Sequence, residues 1–167
     1  EIDCAHPLDS GDAGLLFRSI EETDAGLGAD GRRWELTFGA LARHFDDLGH
    51  DLLRPMVSVP RHPIRLAAFG PRALLPATVL ARWFRTETAR ALYGGIAAHV
   101  YTRLDRPLTA SLGLMIAASG HRFGWPVAQG GSGAITSAVA AALLVSLISA
   151  PAQADTSDAI TDLAIEY

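Results

Sequence analysis

A single cysteine in 167 residues excludes an internal disulfide and any multi-cysteine metal site, so Cys4 reads as a plain strand residue and the chain suits a reducing cytoplasm. Charge is scarce too. Charged residues make up 19%, and 14 basic against 18 acidic side chains leave a formal net charge of -4, which offers no footprint for a phosphate backbone or an anionic lipid surface. Nucleic acid is therefore not an expected partner. The six histidines (His6, His44, His50, His62, His99, His121) show no metal-ligand spacing, and His44 and His50, beside Asp46, Asp47 and Asp51, read as a solvated helix face; no metal is expected. No nucleophile elbow, no defensible Ser-His-Asp or Cys-His spacing and no G-x-G-x-x-G after a strand is found, so this chain carries neither a recognisable acyl-transfer triad nor a nucleotide-binding half. There is no internal repeat. The chain also lacks an initiating Met and opens in what reads as a strand, the expectation for a fragment or processed product.

Apolar side chain is what the sequence has in quantity, at 49%. Beside so little charge, this implies apolar surface that meets another domain, a lipophilic ligand or a membrane. The length fits one domain with a real core. The expected fold class is α+β, predominantly helical: an N-terminal β-hairpin followed by a helical bundle. Ile2 to Leu8, the turn cluster Asp9-Ser10-Gly11-Asp12, and Ala13 to Arg18 form the hairpin. Ser19-Ile20-Glu21-Glu22 has capping-box form and predicts a short helix from Ile20 to about Leu27. After Gly28-Ala29-Asp30-Gly31, Asp30 caps a longer helix whose stripe is Trp34, Phe38, Leu41, Phe45, Leu48 and Leu52.

Three prolines between Arg54 and Pro63 predict an extended connector. Pro71 to Phe84 reads as one helix, with Pro76 either kinking it or opening its true first turn. Thr86 to about Val100 reads as the next, with Leu92, Ile96 and Val100 on one face. Inside it, Gly94-Gly95 fits either close passage of a backbone or flat ligand, or tight helix packing. Asp105-Arg106-Pro107 opens a helix through Leu108, Leu112, Met115 and Ile116 that stops near Ser119-Gly120, and His121 to Gln129 follows as a loop.

Gly130-Gly131-Ser132 then starts a helix from about Gly133 to Ser149, almost entirely apolar and small. At about 1.5 Å per residue it reads as buried rather than as a membrane span. The glycine turn suits an anion, a carbonyl or the edge of an electron-rich ring, because unpaired N–H groups and the positive helix end meet there without side chains in the way. Equally, it permits a sharp reversal. Beyond it, Ala138 to Ile148 with Ala150-Pro151-Ala152 copies the apolar core and cut site of a secretory signal, at a position where this reads as coincidence of composition; residues 150–167 read as a loose tail.

In order, His6-Pro7-Leu8, Glu21-Glu22-Thr23, Gly28-Ala29-Asp30-Gly31 before Trp34, Asp105-Arg106-Pro107-Leu108-Thr109-Ala110, Gly124-Trp125-Pro126 and Gly130-Gly131-Ser132 resemble the central part of the phytoene desaturase-like FAD-dependent oxidoreductases, within the flavin amine oxidase superfamily. The resemblance covers about Asp3 to Leu144. It implies that residues 1–121 are part of a substrate-binding domain and that 122–149 return the chain toward an FAD domain. It further implies that Gly130, Gly131 and Ser132 face the cofactor, that Trp125, Gly94 and Gly95 lie toward the substrate, and that a polyene or isoprenoid-like substrate passes hydride to flavin. Neither the Rossmann half nor the C-terminal flavin segment is in this sequence, and the chain departs from the family after Leu144. FAD binding and turnover are thus not expected of this chain alone. The implied setting is cytoplasmic, with peripheral membrane contact and self-association through an apolar face compatible with it. The alternative is a non-enzymatic helical module that binds a partner protein or a membrane surface.

Overall fold

A computed structural model describes residues 2–53 and 59–149. The middle of the proline-rich connector and the tail expected from residue 150 lie outside the described residues. The fold is α+β and predominantly helical. Among the described residues it comprises strands β1 (Ile2–Pro7) and β2 (Ala13–Phe17) and helices α1 (Ile20–Gly26), α2 (Gly31–Arg43), α3 (Phe45–Leu52), α4 (Pro63–Ala73), α5 (Ala77–Ala81), α6 (Glu87–Ala97), α7 (Thr109–Phe123) and α8 (Ser132–Ser149). The chain divides into two compact units, the first ending at Pro126 and the second beginning at Val127. Among the described residues no helix is long and apolar enough to cross a membrane.

The hairpin forms as expected. Its antiparallel register pairs Pro7 with Ala13, His6 with Gly14 and Cys4 with Leu16, and a bulge between Ile2 and Cys4 breaks the ladder at Asp3. A bulge re-aims the side chain it carries, and the Asp3 carboxylate accepts the Trp125 N–H at 3.2 Å, tying the first strand to the end of the unit. Only half of the predicted capping box exists: Ser19 Oγ accepts the Glu22 N–H at 3.2 Å, but Ser19 donates its hydroxyl to Glu21 rather than receiving Glu22 in return.

The core of the first unit is aromatic. Trp34, Phe38, Phe84 and Tyr93 are fully buried, with Trp34 centred 4.4 Å from Phe38 and 5.5 Å from Phe84. Leu16, Leu92, Ile96 and Leu114 close around them. Burial of this apolar surface is the main force assembling α2, α6 and α7 on the hairpin.

Several predicted boundaries need correction. The stripe from Trp34 to Leu52 is two helices, because His44 leaves helical geometry at φ -114° and ψ 23°. Asp46 and Asp47 sit in the first turn of α3, where acidic side chains favour a helix start over a helix interior; Leu52 at the far end is exposed. Pro71 to Phe84 is not one helix either. Pro63 opens α4 at its first turn, where its missing N–H costs nothing, and the Asp51 carboxylate of α3 accepts the N–H groups of Arg61 and His62 at 2.9 and 2.8 Å. Pro71 falls inside α4, and Pro76 caps a separate short α5. The helix after Thr86 ends at Ala97 and passes into a 3₁₀ turn, Ala98–Val100. Asp105 bonds Arg103 and caps nothing; α7 starts at Thr109 and continues through His121 to Phe123, so His121 belongs to a helix, not a loop.

Asp24 stands out energetically. Burial first, then the nearby Glu35 and Glu21 carboxylates, push its carboxyl up to about 6, and Oδ1 has no hydrogen-bond partner among the described residues. A carboxyl bound more tightly to its proton when folded stabilises the fold below about pH 4 and loses that contribution as pH rises through 6. Asp24→Asn is therefore expected to raise the melting temperature at pH 7 and to lose its advantage near pH 4, read by thermal denaturation at the two pH values.

Candidate functional site

Helices α2, α4 and α5, with Leu75 between the last two and Trp83 just beyond α5, flank an open cavity of about 300 Å³ lined by Leu36, Thr37, Arg72, Leu75, Val79, Leu80 and Trp83. Five of the seven linings are apolar. Leu36, Val79 and Trp83 are 52%, 41% and 50% exposed, so large apolar side chains that the core leaves out converge on one concavity. Sites for small molecules are mostly apolar concavities of this order of size, with a few placed polar groups.

Backbone bonds hold this wall in place. The segment 74–78 is stitched to the loop before α7 and to its first turn: Leu108 N–H donates to Leu74 O, Ala110 N–H to Leu75 O and Thr78 N–H to Leu104 O, each at 3.1 Å. Ala77 N–H, at the start of α5, donates to the buried Thr109 hydroxyl at 2.8 Å. On the opposite wall the Thr37 hydroxyl donates to Arg33 O at 2.7 Å and is thereby occupied within its own helix.

Asp30 joins the two walls. Contrary to its expected role, it makes no side-chain cap for α2. Its fully buried carboxylate instead accepts the N–H groups of Arg85 and Thr86 and the Thr86 hydroxyl at 2.7, 2.6 and 2.8 Å through Oδ2, and Arg33 at 3.2 Å through Oδ1. Burial alone raises this carboxyl; the hydrogen bonds, led by Thr86, more than reverse that and hold it below its ordinary value. Arg33 in turn lies over the Trp83 ring, 5.6 Å from its centroid, and so sets the indole at the mouth of the cavity.

His121 is buried and has both ring nitrogens engaged. Trp34 Nε1–H donates to Nε2 at 2.8 Å. Because an indole can only donate, the imidazole proton is on Nδ1, which faces the Arg18 carbonyl at 3.3 Å. Burial lowers the affinity of this ring for a second proton, outweighing the favourable backbone contacts. His121 also lines a more polar cleft of about 540 Å³ whose wall includes Arg18, Arg43, Arg122 and Glu21.

The sequence-selected residues are spread out. Trp125 is half-buried and lines a separate cavity of about 310 Å³ with Asp3, Arg18 and Pro126. A Cβ built on Gly94 meets nothing within 4 Å among the described residues, whereas a Cβ on Gly95 would collide with the His6 ring. The flat group over Gly95 is thus the imidazole of this chain's own β1. Gly95→Ala is expected to destabilise by about 1–3 kcal/mol through overpacking, and Gly95→Ala with His6→Ala to recover most of that loss, a double-mutant cycle in urea being the measurement.

In the second unit, Gly130 and Gly131 take φ of +87° and +78°, a conformation glycine adopts without a Cβ penalty, and Ser132 begins α8. Gly131 has nothing within 4 Å of a built Cβ, so its face could admit a flat group at the helix start. Among the described residues no three His, Cys, Asp or Glu side chains converge as metal ligands. The α2–α4–α5 cavity went unnoticed in the sequence because Leu36 lies off the core stripe of its helix and Val79 and Trp83 lie in the stretch read as one continuous helix. No family model, curated protein or solved structure matches the chain.

Proposed function

We propose that residues 1–121 are the substrate-binding part of an FAD-dependent oxidoreductase acting on a lipophilic, polyene or isoprenoid-like substrate. The observation that carries this reading is the α2–α4–α5 cavity, where Leu36, Leu75, Val79, Leu80 and Trp83 offer an apolar wall to a small molecule. The motif order from His6 to Ser132 supports the flavin assignment. The open glycine turn fits the edge of a flavin, with Gly130, Gly131 and Ser132 as its contacts; the flavin would supply the hydride acceptor. This chain's own residues bind and orient the substrate body. No turnover is proposed for this chain alone.

A second reading is favoured by α8. Contrary to the burial expected of this helix, its apolar side chains are exposed: Ile135, Val139, Leu143 and Leu147 recur at steps of four, and Leu144, Val145 and Ile148 carry apolar surface around the rest of the helix. A helix apolar all round is buried against something, which suits a non-enzymatic module that binds a partner protein. Solution mass and lipid uptake separate the two: a monomer that takes up a neutral polyene supports the oxidoreductase reading, and a stable dimer without uptake supports the module.

A further inference from the structure

We infer that the α2–α4–α5 cavity takes a long-chain carboxylate, its hydrocarbon body against Leu36, Leu75, Val79, Leu80 and Trp83 and its carboxylate on Arg72. This rests on the lipophile-binding reading of the same cavity and narrows its substrate class from any apolar body to an amphiphile with one negative charge.

The argument is one of charge complementarity. Of the seven described residues lining the cavity, Arg72 alone is charged. Among the described residues its guanidinium makes no ion pair and no side-chain hydrogen bond, whereas Arg33, Arg65, Arg103 and Arg122 each hold an acidic partner. Neighbouring Arg33 is committed to Asp30 and to the Trp83 face, and the Thr37 hydroxyl to its own helix. Arg72 is exposed, so a neutral hydrocarbon on the apolar wall would leave its charge to the solvent and gain nothing from it. A diphosphate would bring more negative charge than one arginine can balance. A carboxylate matches the guanidinium fork in both charge and geometry, through two parallel N–H···O bonds.

The test uses a conjugated tetraene fatty acid, cis-parinaric acid, and its methyl ester, whose fluorescence rises on transfer from water to an apolar site, both at concentrations where the acid is monomeric. The two probes share one hydrocarbon body and differ in charge. The unsubstituted chain is expected to bind the acid about tenfold more tightly than the ester, the scale of one charge-assisted hydrogen-bonded pair at a partly exposed site. Arg72→Ala and Arg72→Gln are each expected to bring the acid down to the ester's affinity and to leave the ester unchanged, and Arg72→Lys to keep part of the preference. Equal affinity for acid and ester in the unsubstituted chain, or a preference for the acid that survives both neutral substitutions, overturns the carboxylate inference and leaves the lipophile-binding reading intact. Binding of neither probe overturns both.

Discussion

Replacing Asp30 by alanine is expected to destabilise the first unit by about 3 kcal/mol or more, because several charge-assisted hydrogen bonds of about 1.5–3 kcal/mol gross each disappear and the buried donors they served lose their acceptor. Four donors converge on this one carboxylate from residues 33, 85 and 86. Thr86 is also the cap of α6, its hydroxyl accepting the Ala89 N–H at 3.2 Å while donating to Asp30. The carboxylate therefore fixes the entry of α6 against the start of α2. Asp30→Asn keeps the shape but lacks the charge and sets an amide donor against either the backbone N–H groups or Arg33, so it should recover only part of the loss. Urea denaturation reads both variants. Its pH dependence has a definite sign: a carboxyl held below its ordinary value when folded stabilises at neutral pH, and the contribution disappears as pH falls below about 4. The same substitution frees Arg33 from its partner and thus loosens the Trp83 indole over the cavity.

Trp34→Ala is expected to cost about 3–5 kcal/mol, the range for truncating a fully buried aromatic whose neighbours collapse only partly into the gap. Its ring contacts Phe38 and Phe84 and lies edge-on to His121. Trp34→Phe retains much of the apolar volume yet leaves His121 Nε2 buried without a donor, adding about 1–3 kcal/mol for an unsatisfied polar group. Thermal and urea unfolding distinguish the two terms, since the cavity term is absent where only the donor is lost from a filled site. Acid sensitivity belongs to the same pair. The folded protein resists a second proton on His121, while the unfolded chain takes one near pH 6.5, so the pair's contribution falls as pH drops below about 6.5. In Trp34→Phe, where Nε2 can itself be protonated without displacing an indole, this part of the acid sensitivity should shrink.

The hairpin, the short α1 and the extent of α8 are legible because they rest on local signals: a turn cluster at 9–12, Ser19 before Glu22, and a run of small and apolar residues after Ser132 broken only by Thr136, Ser137 and Ser146. The boundaries that failed depend on long-range partners. Asp30 looks like a cap for the helix that follows it, and only the fold brings Arg85 and Thr86 within reach of its carboxylate. Pro63 looks like the end of a connector until Asp51 is seen to accept the N–H groups just before it. His121 looked like loop because Gly120 precedes it, yet that glycine lies in the interior of α7 against Leu16 and Trp125. The cavity was illegible for the same reason: Leu36 from α2, Arg72 from α4 and Trp83 beyond α5 share no periodicity and meet only in three dimensions.

Part of the apolar excess of the sequence gathers on one surface of the first unit. Ordinary soluble surfaces scatter their apolar side chains singly, whereas Leu36, Val79 and Trp83 gather on one concavity. Trp83 is half-exposed beside it, Trp34 is fully buried in the core and Trp125 is half-buried in a different cavity, so a ligand in the α2–α4–α5 site has one indole in contact and two out of contact.

The most direct measurement is therefore a titration with a neutral conjugated polyene followed by tryptophan fluorescence, in the unsubstituted chain and in Trp83→Phe. Saturable quenching that disappears in Trp83→Phe, with binding itself retained by the polyene's own emission, is the predicted result. Absence of saturable binding, or quenching that persists undiminished without Trp83, would contradict a lipophile seated between α2, α4 and α5.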